Sequence, residues 1–345
     1  MNETCSKIAQ RKSRLKALGI RNRALLAPMS GVTDVPFRQL AWRFGAGMVV
    51  SEMVASEALT TGQAEMRIKA ESAGLPVHMV QLAGREVHWM AEATRVALGS
   101  GADIIDINMG CPSKRVTNGY SGSALMRDID HALTLIEGVM EVSTVPVTLK
   151  MRLGWDEQSI NAPELASRAE DAGVQLITVH GRTRNQFYKG EANWNLVRQV
   201  REVISVPLVV NGDIGCAETA NEAFSASGAD AVMIGRASYG APWIVGQVAA
   251  ELSNQTVSVV APPTNDPHAL QDLVIEHYEM MLSLYGTELG MRNARKHVDW
   301  YSNHLVMDDE NRDLRKQFMA TREPGEATRL LGALFAEPSP LHQAA

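Results

Sequence analysis

One cysteine of this 345-residue chain lies in a segment suited to chemistry. Cys111 stands between Gly110 and Pro112, and Lys114 and Arg115 follow closely. Proline restricts the residue before it to extended backbone, so we predict an exposed loop around Cys111. Most lone cysteines are inert core residues, and we interpret the two others in that way: Cys5 and Cys216.

Two roles are open to Cys111. An ordinary thiol, with a pKa of about 8.5, is mostly protonated at neutral pH and suits a general acid. A nucleophile needs a group that generates thiolate, and the sequence leaves open whether His180 is near enough to do so. Lys114 and Arg115 would lower the pKa of a thiol that they faced, so we expect them to face an anionic substrate.

Lys150 directly follows the apolar run at 147–149, a position typical of a site at the end of a strand. A lysine there can form a Schiff base, hold a phosphate, or place a positive charge against an electron-accepting ring. Gln81 and His180 end neighbouring runs. With these neighbours a flavin ring is a coherent occupant, because the amide and the ammonium would meet its pyrimidine edge.

Two further strand ends are typical of a phosphate site. Asn211-Gly212-Asp213 and Gly235-Arg236 follow the last two apolar runs, where barrels usually bind phosphate. Glycine lets the backbone approach the ligand, and Arg236 adds a bidentate cation. The signal is moderate, because many unrelated barrels bind phosphate in this place.

The elements that must position these residues follow from alternating short apolar runs and longer helical stretches between residues 24 and 253. The candidate strands are 24–28, 47–51, 76–82, 103–108, 146–151, 176–180, 207–211 and 230–235. Eight such units predict an α/β fold, a closed (β/α)₈ TIM barrel, with an open doubly wound sheet as the alternative. In a barrel the carboxyl ends of the strands meet on one face, so the polar residues would share one site.

Three segments lie outside the predicted barrel. Residues 1–23 carry seven basic side chains and one acidic side chain and form a basic N-terminal extension. Residues 254–267 are proline-rich and predict a linker. Residues 268–345 show helical periodicity and predict an all-helical domain, in which Arg292, Arg295 and Lys296 fall on one side of a helix.

The overall composition excludes several classes of protein. With 33 basic and 39 acidic residues the net charge is −6, which argues against a nucleic-acid partner on average but not against local basic groups. Three cysteines without paired spacing support neither disulfides nor a metal site. No apolar run approaches the ~20 residues of a membrane span, and the N-terminus lacks a signal-type apolar stretch. We therefore expect a cytoplasmic protein, and a monomer.

Several segments carry a further signal through their combination and order. They are Ala27-Pro28-Met29-Ser30-Gly31-Val32-Thr33-Asp34, Asp106-Ile107-Asn108-Met109-Gly110-Cys111-Pro112, His180-Gly181-Arg182-Thr183, Asn211-Gly212-Asp213-Ile214 and Met233-Ile234-Gly235-Arg236 with Pro242-Trp243. Together they resemble the signature segments of bacterial tRNA-dihydrouridine synthases over about residues 21–320. The likeness is greatest to the B subgroup.

The resemblance implies an FMN-containing barrel and a helical tRNA-binding domain, with NADPH (or NADH) as the reductant. Carried over by position, Cys111 would be the catalytic acid that protonates C5 of uracil after hydride transfer to C6, and Asn108 and Arg182 would help to hold the base. The FMN site would comprise Pro28, Met29, Ser30, Gln81, Lys150, His180, Asn211, Gly212, Asp213, Gly235 and Arg236. The cations expected to contact tRNA are Lys114, Arg115, Arg292, Arg295 and Lys296.

The residues leave two other functions open. One is an FMN oxidoreductase that acts on a free dihydropyrimidine or another small molecule, although such a substrate needs no helical domain. The other is a non-catalytic RNA-binding or regulatory barrel, although intact Cys111 and Lys150 weigh against it. The basic extension, which the family commonly lacks, is either an extra tRNA contact or the result of a misassigned start codon.

Overall fold

The barrel predicted from the alternating runs is present in the structure, a computed structural model that describes residues 2–253, Pro263 and residues 266–336. Its strands are β1 (Ala24–Leu26), β2 (Met53–Ala55), β3 (Met79–Ala83), β4 (Ile104–Met109), β5 (Val147–Arg152), β6 (Leu176–His180), β7 (Leu208–Asn211) and β8 (Ala231–Ile234). All pairs are parallel, in the order β1-β8-β7-β6-β5-β4-β3-β2. The predicted α/β fold is confirmed.

Hydrogen bonds from the segment before β2 close the sheet. Leu26 donates to the carbonyl of Met48 at 2.9 Å, and Gly47 donates to the carbonyl of Ala24 at 2.7 Å. On the other side Ser51 donates to the carbonyl of Met79 at 3.0 Å. The predicted strand at 47–51 was therefore misplaced: these residues bridge β1 and β3 through scattered bonds, and the regular ladder begins only at Met53.

The strands are almost continuously apolar because both faces of the sheet are buried. The helices that precede or surround the barrel are α1 (Asn2–Ala17), α2 (Val35–Arg43), α3 (Ser56–Thr60), α4 (Ala64–Ala70), α5 (Val87–Gly99), α6 (Lys114–Thr117), α7 (Ile129–Val142), α8 (Ala162–Asp171), α9 (Trp194–Val203), α10 (Ala217–Ser227) and α11 (Ile244–Ser253). Short 3-10 helices lie at Gly122–Arg127, Arg236–Ser238 and Ser302–His304.

The basic extension closes the end of the barrel where the strands begin. Leu15 of α1 and Leu18, in the turn that follows it, belong to one apolar cluster with Met79 and Leu176, the first residues of β3 and β6. Arg11 donates to the carboxylate of Asp230, just before β8, at 2.8 Å. The extension therefore lies at the end of the barrel opposite the predicted site, a position that in barrels contributes to stability.

Beyond the barrel lie α12 (Pro267–Tyr285), α13 (Thr287–Tyr301), α14 (Asp309–Ala320) and α15 (Pro324–Leu334). They share an apolar core that also includes Leu40 and Phe44 from α2 and its carboxyl end. Tyr285 donates to Asp34, the cap of α2, at 3.2 Å. Most of the predicted linker and residues 337–345 lie outside the described part of the chain.

Asp266 accepts hydrogen bonds from His268 and Ala269 and so starts α12 one residue inside the predicted linker. Among the residues that the structure describes, no helix combines the length and the apolar character needed to cross a membrane.

Candidate active site

A cavity of about 1110 Å³ opens where the strands end. Most residues predicted for the site line it. They are Pro28, Met29, Ser30, Gln81, Asn108, Cys111, Arg115, Lys150, His180, Asn211, Gly212, Asp213, Gly235 and Arg236. Five predicted residues do not: Lys114, Arg182, Arg292, Arg295 and Lys296.

Cys111 is held through its backbone on both sides. Its N–H donates to Asn108 Oδ1 at 3.0 Å, and its carbonyl accepts from the Ser123 hydroxyl at 2.8 Å. Burial raises the pKa of the thiol, an effect that the Ser113 N–H and the charges of Arg152 and Lys150 only partly oppose. The thiol therefore keeps its proton at neutral pH, which favours a general acid over a nucleophile.

Lys150 reaches the cavity from β5, and its Nζ donates to Asn211 Oδ1 at 3.1 Å. The amide of Asn211 is oriented for this contact because its Nδ2 donates to the carbonyl of Met233 at 2.8 Å. Burial, together with the charge of Arg152, lowers the pKa of Lys150 to about 8. At neutral pH the side chain therefore remains mainly cationic and faces the cavity as a positive charge.

His180 ends β6 and is neutral at physiological pH. Burial lowers its pKa well below the ordinary value, and the nearby cations Arg152 and Lys150 add to this effect. Gly212, with φ +115°, lies against the ring, and a Cβ there would come within 3.0 Å of the His180 Nε2 atom. A side chain at position 212 would therefore displace the imidazole.

Arg152 is a residue of the site that the sequence reasoning missed. Its guanidinium donates to the carbonyls of Gly110, Thr183 and Phe187, each at 2.8 Å. It thereby ties the segment before Cys111 to the loop after β6. Alternation along a strand places residues two apart on one face, so its spacing from Lys150 was a usable signal.

The predicted phosphate end contains an ion-pair network. The carboxylate of Asp213 accepts from Arg182 at 2.5 Å, from Ala192 N at 2.8 Å and from Arg236 at 3.3 Å. Burial acts to raise the pKa of Asp213, but these donors and charges lower it overall. A carboxylate repels phosphate, so we interpret Asp213 as orienting Arg236, whose guanidinium lies 4.8 Å from the ring centre of Tyr188.

Arg182 is buried behind the lining of the cavity, with its Nη1 atom 3.4 Å from Nε2 of the lining residue His180. Its side chain is 2% exposed and donates to the carbonyl of Gly190 at 2.6 Å as well as to Asp213. The contact of Arg182 with the base stays a prediction. In the structure the residue positions Asp213 and the loop after β6, a role that depends on a contact across 31 positions and has no local sequence signal.

The predicted basic face of α13 is divided in the structure. Arg292 is exposed, whereas Arg295 donates to the carbonyl of Thr321 at 3.0 Å. Lys296 Nζ packs against Gly31, so near that an added Cβ would come within 3.0 Å, and the acids Asp34 and Glu52 act on its charge. These contacts bring the partly buried Lys296 against the loop after β1, and the tRNA contacts of Arg295 and Lys296 stay a prediction.

The structure also gives positions for the other predicted residues, namely Cys216 and the two loop cations Lys114 and Arg115. Cys216 is half-buried at the start of α10, with Sγ 3.4 Å from Thr219 Oγ1, so it is a cap residue rather than the core residue expected. The Cys5 side chain lies outside the described part of the structure. Lys114 is exposed beside the cavity, and Arg115 lines it.

Comparisons with known proteins identify the family of the chain. A model of the family Dihydrouridine synthase (Dus) matches residues 25–337. The chain is 56% identical over 320 residues to a probable tRNA-dihydrouridine synthase of Rhizobium leguminosarum bv. phaseoli, covering 92% of this chain and 97% of that protein. It is 41% identical over 326 residues to tRNA-dihydrouridine synthase B of Xanthomonas campestris pv. campestris, covering 94% and 97%.

Among solved structures, an old yellow enzyme homologue from Zymomonas mobilis is similar with a TM-score of 0.47 and 17% identity, covering 70% of this chain and 90% of that chain. A likeness this low gives no information about ligands. The matches in sequence confirm the predicted resemblance. The chain belongs to the dihydrouridine synthase family and is a flavin-dependent oxidoreductase.

Proposed function

We propose that this protein reduces the C5=C6 bond of particular uridines in tRNA to give 5,6-dihydrouridine, with FMN as its cofactor and NADPH (or NADH) as the reductant. The observation that carries the proposal is the shared cavity of a protonated thiol and a buried ammonium, Cys111 and Lys150. The relatives named tRNA-dihydrouridine synthase support tRNA as the substrate. Such a substrate would place the chain in the cytoplasm.

The residues of the cavity fit a flavin mononucleotide. The Lys150 ammonium is suited to the pyrimidine edge of the ring, which becomes anionic on reduction. Arg236 suits the phosphate, and Gly212 and Gly235 leave backbone open to it. A cavity of about 1110 Å³ exceeds the usual upper size for one small ligand, about 1000 Å³, and leaves room for a base beside a cofactor.

The chain's own groups then divide the work. FMN held by these residues would, once reduced, supply the hydride that C6 of uracil needs. Cys111, kept protonated by burial, donates a proton to C5, and the contacts of its backbone N–H and carbonyl hold it in place. Asn108 lines the cavity beside Cys111, and the second hydrogen of its Nδ2, beyond the one donated to Gln81, is offered to the base.

Access to the site requires that the uridine leaves its stack, which costs a few kcal/mol. Exposed aromatic side chains at the mouth suit a displaced strand: Tyr188 lines the cavity at 51% exposure, and Tyr120, at 67%, lies between two lining residues. Both are absent from the sequence-based site. For the phosphates of tRNA we propose Lys114, Arg115 and Arg292, which lie outside internal ion pairs in the described structure.

The test is an anaerobic reaction of the purified, flavin-loaded protein with NADPH and either tRNA that lacks dihydrouridine or free uridine. Dihydrouridine is measured by mass spectrometry of the digested products. We expect product from tRNA and at most a trace from free uridine. Efficient reduction of free uridine would instead support an enzyme of small pyrimidines, and a protein that binds no flavin would refute the proposal.

A further inference from the structure

Asp106 is a buried carboxylate on β4 to which the proposed reaction gives no role. The residue is 2% exposed and shares the interior face of the strand with Asn108. Its two oxygens accept hydrogen bonds from Thr148 Oγ1 at 2.5 Å and from Gln81 Nε2 at 2.6 Å. An ionised carboxylate is costly to bury without such partners, so these contacts hold Asp106 in place.

A chain of hydrogen bonds leads from Asp106 to Cys111. Gln81 donates to Asp106 through Nε2 and accepts through Oε1 from Asn108 Nδ2 at 2.7 Å. Asn108 in turn accepts through Oδ1 from the N–H groups of Cys111 at 3.0 Å and Gly110 at 3.2 Å. Two side-chain amides therefore connect the buried carboxylate to the backbone of the cysteine.

The groups at the two ends of this series of hydrogen bonds fix which end of each amide donates and which accepts. Burial raises the pKa of Asp106, whereas the hydrogen bonds from Thr148 and Gln81 and the charge of Lys150 favour its ionised form. The ionised carboxylate only accepts, so the NH₂ group of Gln81 faces Asp106, as the 2.6 Å contact shows. Backbone N–H groups only donate, so the oxygen of Asn108 must face Cys111. Because each amide uses both of its ends, rotation of the Gln81 amide would break two contacts and rotation of the Asn108 amide would break three. Only one orientation of the two amides therefore makes all of these hydrogen bonds.

We propose that Asp106 is a positioning residue, which through Gln81 and Asn108 holds the backbone at Cys111 where the thiol can reach the substrate. The catalytic part of this inference, that the ordered segment places the thiol for reaction, rests on the proposed function. Its structural part, that Asp106 orders the Cys111 segment, stands on the hydrogen-bond chain alone.

The charge of Asp106 offers a competing explanation. The carboxylate favours the cationic form of Lys150 and so acts to raise the pKa of that lysine. Two variants separate the explanations. Asp106→Asn keeps an oxygen that accepts from Gln81 but removes the charge, whereas Asp106→Leu removes both. If the hydrogen-bond chain matters, the asparagine variant resembles the native protein; if the charge matters, the two variants fail alike.

The experiment measures hydrogen exchange of the Gly110 and Cys111 amides in the flavin-loaded protein, without tRNA, by peptide-resolved mass spectrometry. We expect exchange about tenfold faster in Asp106→Leu, and within about threefold of native in Asp106→Asn. With tRNA present, kcat of Asp106→Leu falls about 100-fold while KM for tRNA changes less than about threefold. The matched control is Asp103→Asn, because Asp103 accepts from His78 N at the opposite end of the barrel.

If Asp106→Leu does not fold, Gln81→Leu breaks the same chain at its next link and must accelerate the same two amides. Native exchange at Gly110 and Cys111 in these leucine variants would overturn the proposal, and so would equal acceleration in Asp106→Asn. Exchange is measured without substrate. A native protein that forms no dihydrouridine would therefore count against the proposed function and leave this structural test in force.

Discussion

The Arg152 guanidinium donates through Nε to the carbonyl oxygen of Gly110 at 2.8 Å, one residue before Cys111. The same group also holds the carbonyls of Thr183 and Phe187. One side chain thus fixes the cysteine segment relative to the loop after β6. Such a fork needs the planar geometry of arginine, since the ammonium of lysine is a compact point charge.

Arg152→Lys should therefore keep the positive charge and lose the geometry. We expect kcat for dihydrouridine formation to fall about 100-fold, because small displacements of a reacting group are costly. Steady-state kinetics with the flavin content measured in parallel would check this. The control is Arg168→Lys, in which the half-buried arginine pairs with the exposed carboxylates of Asp130 and Glu164. An Arg152→Lys enzyme with native kcat would show that the loop contacts are dispensable.

Cys111→Ala should separate cofactor binding from proton donation. Loss of a general acid costs about 100- to 10,000-fold in rate. We therefore expect native flavin content with dihydrouridine formation reduced by that factor. Cys216→Ala removes a thiol at the start of α10 and should leave the rate unchanged. Substantial turnover by Cys111→Ala would contradict the acid role, and loss of flavin would indicate a structural one.

Acid should destabilise the helical domain through a buried histidine. Burial lowers the pKa of His277 from 6.5 to about 3. Between these values the unfolded chain binds a proton that the folded chain does not, so the free energy of unfolding falls by about 1.4 kcal/mol per pH unit as the pH decreases below 6.5. His277→Gln should flatten this slope in urea unfolding followed by tryptophan fluorescence, whereas the exposed His268→Gln should not.

Carboxylates also titrate in this pH range, and protonation of some of them raises the free energy of unfolding as the pH falls. Burial raises the pKa of Asp34 to about 7, so its protonation favours the folded state as the pH falls. The difference between the native chain and His277→Gln cancels these shared contributions. Equal slopes in the two proteins would refute the assignment to His277.

Binding of tRNA should depend steeply on salt through cations at one end of the molecule. Each neutralised phosphate contributes about 0.9 to the slope of log K against log salt for duplex nucleic acid, so Arg115→Gln and Arg292→Gln should each lower the slope by about one. Arg11→Gln lies at the opposite end of the barrel. It should leave the slope unchanged and lower the melting temperature, because Arg11 pairs with Asp230. A smaller slope in Arg11→Gln would instead show that the extension contacts tRNA.

Much of the barrel could be predicted because strands buried on both faces produce uninterrupted apolar runs. The ends of those runs then located Lys150, Gln81 and Cys111 on one face. The segment 47–51 was misplaced because its apolar sequence resembles a strand although its hydrogen bonds are irregular. An apolar run predicts that a segment is buried, but not that it forms the regular hydrogen bonds of a β-strand.

The partners of the charged residues could not be predicted, for a different reason. Residue type says that Arg182 and Lys296 carry charge, but not which partner the fold brings to them. Asp213 lies 31 positions from Arg182, and Gly31, in the loop between β1 and α2, is far along the chain from Lys296. These contacts depend on the tertiary arrangement of β1, β6, β7 and α13. By contrast, the position of Arg152 two residues after Lys150 was a local signal that pointed to the site.

The most direct test of the central claim is to express this chain in a bacterial strain that lacks all dihydrouridine synthases and to map dihydrouridine in its tRNA by mass spectrometry. We predict that the native chain restores the modification at defined uridine positions and that Cys111→Ala, expressed to the same level with its flavin bound, restores none. Absence of dihydrouridine with the native chain, or its restoration by Cys111→Ala, would contradict the account.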